Sequence, residues 1–380
     1  AGHSWDEAAR MELGDGAGER LVELLRGDNG SHYLQISQAA DLFAHYGLIF
    51  VMFHIGLGAY VIAQLRGLEA DSLKVAIIGA ITPMVLGLVA ILLLAPGLSH
   101  VGHIFIAATL GTTGFAVTSR VLGRLQQQDS REARIILGAG AMDDVLGLVM
   151  LAIATGIAFS GSVAPADIGR TAIRAFLFLV CALGLGPVFL RMLVRMLRRL
   201  DVVEAKLFVA FILVIFLAGL ATLVQLSPVV GAFAAGLLMH ESHFRTWGDR
   251  RREEHSLEEL FAPLEVIIVP VFFVLMGIQV KLESLLDAQV IAIFVALLVA
   301  AVTGKWASGL GAQGGVNRVA IGAGMIPRGE VGLAFAFIGK SLGVITPVMF
   351  NVLVLVVVVT TLVTPLLLRL SAACSAQAAP

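Results

Sequence analysis

The sequence predicts an all-α integral membrane protein, and two observations support this fold class. Of the 380 residues, 58% are hydrophobic and only 14% are charged, with a mean hydropathy of +0.93, well above the balance of a soluble domain. About eleven apolar runs are each long enough for a membrane helix, which needs about 20 apolar residues to cross the hydrocarbon core. The runs are continuous rather than alternating, so helices are favoured over transmembrane strands.

The eleven runs follow one another with only short polar connections. They lie near 42–65, 74–95, 100–123, 132–160, 167–190, 204–225, 227–242, 257–280, 288–310, 316–340 and 342–369. The sixth and seventh are separated by a break at Gln225 to Pro228. The third, fourth, ninth and tenth contain residues that an apolar helix would not need for packing, and these residues indicate function.

Two of the runs contain segments that disfavour helix. Residues 109–114, TLGTTG, place glycines and threonines in the middle of the third run, and residues 324–332, GMIPRGEVG, interrupt the tenth. Proline removes an amide donor and glycine loosens the backbone, so we expect both segments to unwind. Unwound backbone persists at membrane depth only where protein buries it or a cavity hydrates it, and there its carbonyls can coordinate cations. Interrupted helices at matching positions in two halves are typical of transporters built from inverted repeats.

The fourth run carries two adjacent acidic residues, Asp143 and Asp144, in GAGAMDDVLGLVML. A carboxylate at mid-membrane depth costs about 2.5–3.5 kcal/mol or more, so such residues usually face a cavity and serve a function. Neighbours on a helix point about 100° apart, so one carboxylate can face an ion path while the other meets a partner. The alternative is a structural pair that is neutralised by protonation or by a basic neighbour.

The ninth run contains a lysine, Lys305, in VALLVAAVTGKWASG, and we expect it to pair with the aspartates. An ammonium group in a dry site can lose its proton within the biological pH range, whereas a guanidinium cannot. A lysine and aspartate pair can therefore open and close by titration. The alternative is a side chain that extends from a helix end to the lipid headgroups.

Positive residues are distributed unequally between alternate loops. One set of loops carries seventeen Lys and Arg residues, whereas the opposite set, leaving out the N-terminal segment, carries four: Arg170, Arg174, Lys281 and Lys340. The positive-inside rule makes the first set cytoplasmic, which places the N-terminal segment outside and the C-terminus inside.

The chain divides into three parts by composition. We predict a polar extracytoplasmic segment at 1–35, one transmembrane domain at 36–370 and a short cytoplasmic tail at 371–380. Cys181 and Cys374 offer neither a disulfide framework nor metal-ligand spacing. We expect membrane lipids but no nucleic acid among the partners, and neither enzyme activity nor a cofactor.

Five ordered motifs resemble those of a known family. The stretches ATLGTTGFAVTSRVLGRL, RIILGAGAMDDVLGLVML, SPVVGAFAAGLLM, VPVFFVLMGIQVKL and GMIPRGEVGLAFAFIG look like the monovalent cation/proton antiporters of the second cation/proton antiporter superfamily, and the likeness runs from about residue 40 to 370. The resemblance implies inverted repeats, two broken helices that cross, and a homodimer in which a core moves against a dimerisation domain. It implies exchange of Na⁺, or alternatively K⁺, for protons by alternating access across the cell's inner (plasma) membrane.

The resemblance also assigns roles to the buried charges. By motif position, Asp144 corresponds to the aspartate that alternately carries a proton and a cation, and Asp143 to its companion, which pairs with the lysine aligned with Lys305. Arg328 and Glu330 correspond to the charged pair of the second unwound segment.

Two threonines complete the expected cation site. Thr113 corresponds to the threonine of the first unwound segment, and Thr112 lies beside it. We therefore expect the monovalent cation to be held by Asp144, Asp143 and Thr113, with Thr112 and freed backbone carbonyls assisting.

The sequence departs from the family pattern in three places. Members normally have one or two further helices before the run at 42–65. In HIGLGAY, Gly58 stands where the family often has an acidic residue, and Gly111 to Gly114 replace Ser-Ala-Thr-Ser. The last change removes hydroxyl groups and is expected to alter ion preference.

Two other transport functions remain open. A channel-like potassium efflux protein would use the same charges without proton counter-transport, and a sodium-coupled solute symporter would add a polar pocket for an organic solute. His54, near the middle of the first run, is either a pH sensor or a histidine bonded to a helix carbonyl.

Overall fold

The computed structural model describes residues 30–64, 70–126, 130–160, 165–197, 202–240, 243–244, 256–281, 283 and 287–377. Residues 1–29 of the predicted N-terminal segment and residues 378–380 of the predicted tail lie outside the described residues, whereas residues 371–377 continue the last helix. Within the described part, thirteen α-helices account for nearly all of the secondary structure. They are α1 Gly30–Gln64, α2 Ala70–Leu94, α3 His100–Gly111, α4 Phe115–Arg124, α5 Arg131–Ser160, α6 Pro165–Met196, α7 Val202–Leu223, α8 Pro228–Leu238, α9 Leu257–Ile278, α10 Ala288–Trp306, α11 Arg318–Met325, α12 Glu330–Ser341 and α13 Pro347–Gln377.

These thirteen helices form eleven segments, because α3 with α4 and α11 with α12 are the halves of two interrupted helices. In the described residues, eight stretches are long and apolar enough to cross a membrane, and three shorter apolar helices accompany them. The prediction of an all-α fold with about eleven apolar segments is confirmed. A 3-10 turn, Ala307–Gly311, follows α10.

Local sequence signals set several helix boundaries. Ser99 accepts a hydrogen bond from the Gly102 amide (3.0 Å) and so satisfies one of the free donors at the start of α3. At the start of α9, the side chains of Ser256 and Glu259 each bond the other's amide and form a capping box. Pro228 is the first residue of α8. A backbone N–H at this position would have no intrahelical acceptor, so proline is well suited to it.

The chain forms two compact units, Ala1–Gly47 and Leu48–Pro380. The described part of the first unit is the beginning of α1, in which Ala44 is buried and Leu42 and Tyr46 are exposed. All the contacts discussed below lie within the second unit.

Within the second unit, the helices that carry the predicted site pack on one another. We call α2, α3–α4, α5, α10, α11–α12 and α13 the core bundle. Gly304 of α10 lies against Pro83 of α2 so closely that a Cβ at position 304 would overlap the proline backbone. This close approach fixes the depth of Lys305, the next residue in α10.

A second group of helices lies beside the core bundle. We call α7, α8, α9 and the part of α1 from Leu48 onward the flanking bundle. In it α7 packs on α8, and α6 contacts α5, α7 and α8. The helix α9 also reaches the core bundle, where Phe272 meets Phe337 of α12 edge to face. Gly56 of α1 and Gly236 of α8 bring their two backbones together, since a Cβ on either glycine would overlap the opposite chain. Phe53 of α1 meets Phe261 of α9 edge to face, with ring centroids 5.2 Å apart.

Candidate ion-binding site

The two interrupted helices touch at their breaks. Between α3 and α4 the backbone is extended at Thr112 (φ −76°, ψ 154°), and between α11 and α12 helix is absent from Ile326 to Gly329. The Gly114 amide donates to the Pro327 carbonyl at 2.7 Å. A Cβ at Gly114 would overlap the backbone of Gly329, so glycine is required for this crossing. The predicted unwound segments are thus present, and they meet each other.

Lys305 lies at this crossing and is completely buried. Its ammonium group donates to the Gly111 carbonyl at 2.6 Å, to the Thr113 hydroxyl oxygen at 2.5 Å and to Asp143 Oδ2 at 3.0 Å. These bonds match the three donors of an ammonium group. The lysine is therefore part of the core and does not extend to the lipid headgroups.

Arg328 supplies a second buried cation, with no exposed surface. Its Nη1 donates to the carbonyls of Thr112 (2.9 Å) and Thr109 (3.3 Å) and also to that of Leu110. Its Nη2 donates to the Ala301 carbonyl of α10 at 3.4 Å. A residue of the second break thus satisfies backbone acceptors left free at the first break, which ties the two halves of the site together.

The carbonyls around the first break therefore have fixed partners. Those of Thr109, Leu110 and Thr112 accept from Arg328, and that of Gly111 accepts from Lys305. These four carbonyls are therefore engaged with protein, and the expectation that freed carbonyls assist in holding the transported ion stays a prediction for the remaining ones. The physical reason is that an unsatisfied carbonyl at this depth costs several kcal/mol, and nearby cationic side chains remove that cost.

The two aspartates differ in their environment, as adjacent positions on a helix require. Asp143 is 1% exposed and bonds Lys305 through Oδ2, whereas its Oδ1 is buried with no hydrogen-bond partner in the described residues. Asp144 is 3% exposed, and the described residues act on its carboxylate through space rather than by hydrogen bonds. Asp144 interacts electrostatically with Glu330, Asp143 and Lys305. One aspartate is held by the lysine, and the other is free to bind.

The two threonines have separate roles in the geometry. The hydroxyl oxygen of Thr113 accepts from Lys305 and keeps a second lone pair. The hydroxyl of Thr112 instead donates to the Thr109 carbonyl at 3.0 Å. Thr113 is thereby held against the lysine, while Thr112 stabilises the end of α3.

Arg328 and Glu330, predicted as a charged pair, have different partners. Arg328 contacts backbone carbonyls, whereas Glu330, half-buried at the start of α12, interacts electrostatically with His54, Arg120 and Glu265. The sequence alone did not identify Glu265 and Arg120 as neighbours of Glu330. An acidic residue well inside the apolar run 257–280 was the signal that could have identified Glu265.

Comparison with known proteins identifies the architecture. The family model for the sodium/hydrogen exchanger, transmembrane, matches residues 22–371. The chain belongs to this sodium/hydrogen exchanger family. The members are ion transporters, so this exchanger chain is a multi-pass membrane protein of the cation/proton antiporter superfamily.

Two curated relatives match most of this exchanger chain. The high-affinity Na⁺/H⁺ antiporter NhaS3 of Synechocystis is 33% identical over 346 residues, which cover 88% of this chain and 71% of the relative. The Na⁺/H⁺-K⁺ antiporter GerN of Bacillus cereus is 27% identical and covers 96% of this chain and 91% of its own length.

A solved structure shares the fold of the exchanger chain. The sodium proton antiporter MjNhaP1 of Methanocaldococcus jannaschii, solved at pH 8, superposes with a TM-score of 0.61 at 20% identity, over 90% of this chain and 87% of that one. The similarity confirms the predicted antiporter-like architecture.

Proposed function

We propose that this chain exchanges a monovalent cation, Na⁺ in preference to K⁺, for protons across the membrane, and that Asp144 carries both. The observation that supports this role is the isolation of Asp144. Its carboxylate is buried, and Glu330, Asp143 and Lys305 of the described residues act on it through space rather than by hydrogen bonds. The buried cations nearby, Lys305 and Arg328, are both engaged with Asp143 or with backbone carbonyls.

A free buried carboxylate must be neutralised, and two ions can do this. An unpaired charge in a dry environment is costly, so Asp144 binds either a proton or a cation before it is buried. Since both ions use the same carboxylate, loading one releases the other. The exchange then follows alternating access, in which the loaded site is exposed first on one side of the membrane and then on the other.

Oxygen atoms near Asp144 complete the proposed cation site. Asp143 Oδ1 is buried and unpartnered in the described residues, so it is available as a second ligand. The Thr113 hydroxyl contributes its remaining lone pair, and Thr112 supports the backbone beside it. Hard oxygen ligands of this kind suit alkali-metal ions better than soft transition metals.

The relatives support Na⁺ as the first candidate and K⁺ as the second. The name of NhaS3 specifies Na⁺ and H⁺, and that of GerN adds K⁺. The changed residues at 111–114 lie at the cation site, so the choice between the two ions is expected to depend on them.

We also propose an orientation and an assembly for the chain. Residues 36–370 form one antiporter domain of the plasma membrane, with the N-terminal segment outside and the C-terminus in the cytoplasm, because most of the positive residues lie in one set of loops. The proposed assembly is a homodimer surrounded by lipid, with the flanking bundle at the subunit interface and no resident cofactor.

The decisive experiment uses purified protein in liposomes with a preset pH gradient. Addition of Na⁺, Li⁺ or K⁺ should dissipate the gradient in wild type, and Asp144→Asn should abolish the response while the protein stays folded. Glu204→Gln, at an exposed acidic residue of the flanking bundle, is the matched control and should behave as wild type.

Each alternative function gives a different result in this assay. Cation flux without proton counter-flow would indicate a channel. A response that requires an added organic solute would indicate a symporter. Cation-driven proton flux that persists in a folded Asp144→Asn protein would remove Asp144 as the carrier.

A further inference from the structure

A carboxylate in the middle of a membrane helix has no part in the cation site described above. Glu265 lies in α9, within the apolar stretch Glu259–Ile278, and its side chain is 29% exposed. Ionisable residues in such stretches are costly, and they usually mark a partner or a pathway. Its partners are therefore informative.

Each oxygen of Glu265 faces a different cationic group. Oε2 lies 3.2 Å from His54 Nε2 of α1, and Oε1 lies 3.7 Å from Arg120 Nη2 of α4. Residues 54, 120 and 265 are far apart in sequence, so only the packing of three helices brings them together. We call this arrangement the Glu265 bridge.

The Glu265 bridge connects the two helix bundles. Glu265 and His54 belong to the flanking bundle, which is also joined at Phe53 and Phe261. Arg120 belongs to the core bundle, as does Glu330, which interacts electrostatically with all three members of the bridge. Glu330 also interacts with Asp144, so the bridge lies within electrostatic range of the proposed carrier.

The bridge is suited to repeated breaking. The Arg120 side chain is 77% exposed, and its Nη2 lies 3.7 Å from Glu265 Oε1, beyond hydrogen-bond distance, so this contact is weak. A contact of this strength can hold one arrangement of the bundles without trapping it.

We propose that the Glu265 bridge is an ionic latch between the core and flanking bundles, and that it must break in every transport cycle. The proposal rests on the proposed exchange function and adds the contact that regulates it. When the core moves relative to the flanking helices, Arg120 and Glu330 move away from Glu265 and His54. A covalent link across the bridge therefore stops transport, whereas a link within the flanking bundle does not.

His54 faces charged groups from three other helices. The charged groups that face His54 in the described residues are Glu265 of α9 and, through space, Glu330 of α12, with Arg120 of α4 on the far side of Glu265. The latch is therefore a cluster of two acidic and two basic side chains contributed by four helices.

Cross-linking tests the latch directly. In a Cys181→Ser/Cys374→Ser background, Arg120→Cys/Glu265→Cys is joined with a short bifunctional thiol-specific reagent that is cleaved by reductant. A bifunctional reagent is used because Arg120 and Glu265 meet through long side chains. Cysteines at these two positions are therefore expected to lie too far apart for a direct disulfide. The matched control is Phe53→Cys/Phe261→Cys, a neighbouring pair within the flanking bundle. We expect the cross-link at 120 and 265 to abolish cation-driven proton flux and reductant to restore it, while the control pair stays active in both states.

Two results would overturn the latch while leaving the proposed function intact. One is unchanged exchange in protein that is fully cross-linked at 120 and 265. The other is an inactive double variant before cross-linking, beside an active wild type. Failure of the proposed function is distinct, since wild type itself would then show no cation-driven proton flux.

Removal of one charge is a second test, measured at saturating cation so that competition at Asp144 is removed. We expect Glu265→Gln and Arg120→Gln to raise the transport rate by up to about fivefold, the population change that corresponds to a weak ion pair. Arg124→Gln, at an exposed residue one turn further along α4, is the control and should leave the rate unchanged. A rate of Arg120→Gln equal to that of Arg124→Gln would refute the latch.

Discussion

The strongest energetic prediction concerns the buried pair of Asp143 and Lys305. We expect Asp143→Asn and Lys305→Gln to destabilise the protein by unequal amounts, and the double variant to lose less than the sum. Lys305→Gln removes the donor to Asp143, Thr113 and the Gly111 carbonyl together. Asp143→Asn keeps an oxygen that can accept from Lys305 and removes the negative charge of one of the three acceptors, and Lys305 still interacts with Asp144.

The magnitudes follow from this difference in partners. Removing one member of a buried ion pair costs about 3–5 kcal/mol, and we place Lys305→Gln in that range because it leaves a carboxylate that is 1% exposed without its cation. Asp143→Asn should cost about 1–3 kcal/mol, the usual cost of one lost charged hydrogen bond. The double variant leaves no unpaired charge between these two residues, so a coupling energy of about 1–3 kcal/mol is expected.

The assay is a thermal-unfolding cycle in detergent on wild type, both single variants and the double variant. The control cycle uses Lys74→Gln and Asp71→Asn, a pair 3.4 Å apart in which the lysine side chain is 48% exposed. Its coupling should be about 1 kcal/mol or less. Additive losses at 143 and 305, or a coupling no larger than that of the control pair, would show that the buried contact does not contribute as argued.

Three further predictions concern the crossing and the carrier. Gly114→Ala should unfold or inactivate the protein because the added methyl group overlaps the Gly329 backbone. Gly219→Ala, with open space around its Cβ, should be tolerated in the same thermal assay, and equal effects of the two variants would contradict this prediction. Arg328→Lys should destabilise the protein more than Arg318→Lys, because one ammonium group cannot reproduce the contacts of the guanidinium to both the first break and Ala301. Similar melting temperatures of the two variants would show that Arg328 does not hold the first break in this way. The midpoint pH of activation should fall as cation concentration rises, because the cation stabilises the deprotonated carboxylate; a midpoint independent of cation in both wild type and His54→Ala would reject competition at Asp144.

The positions of the breaks could be predicted because their signals are local. Glycine at 111 and 114 and the Pro-Arg-Gly sequence at 327–329 disfavour helix whatever surrounds them. The buried charges were equally visible, because Asp143, Asp144 and Lys305 stand out in apolar runs. Local chemistry therefore accounts for the broken helices and for the residues gathered at their crossing.

The partners of these charges could not be predicted in the same way. Arg328 bonds carbonyls more than 200 positions away in the chain, and nothing in GMIPRGEVG indicates which backbone groups it will meet. The Glu265 bridge joins three helices whose proximity depends on the packing of the two bundles. Pairing over such distances is a property of tertiary structure, and a single sequence gives only the candidates.

The buried charges have different partners, and this difference explains why a site with several carboxylates needs only one carrier. Lys305 compensates Asp143, and Arg328 is held by the carbonyls around the first break, so the two cations are structural elements of the crossing. Asp144 is then the carboxylate whose charge is left for an ion to neutralise. A proton and a monovalent cation add the same charge to it, so the core reaches an equivalent electrostatic state with either ion. On the proposed mechanism this equivalence allows the core to cross the membrane in both loaded forms, while the unloaded form, with its uncompensated carboxylate, is disfavoured from crossing.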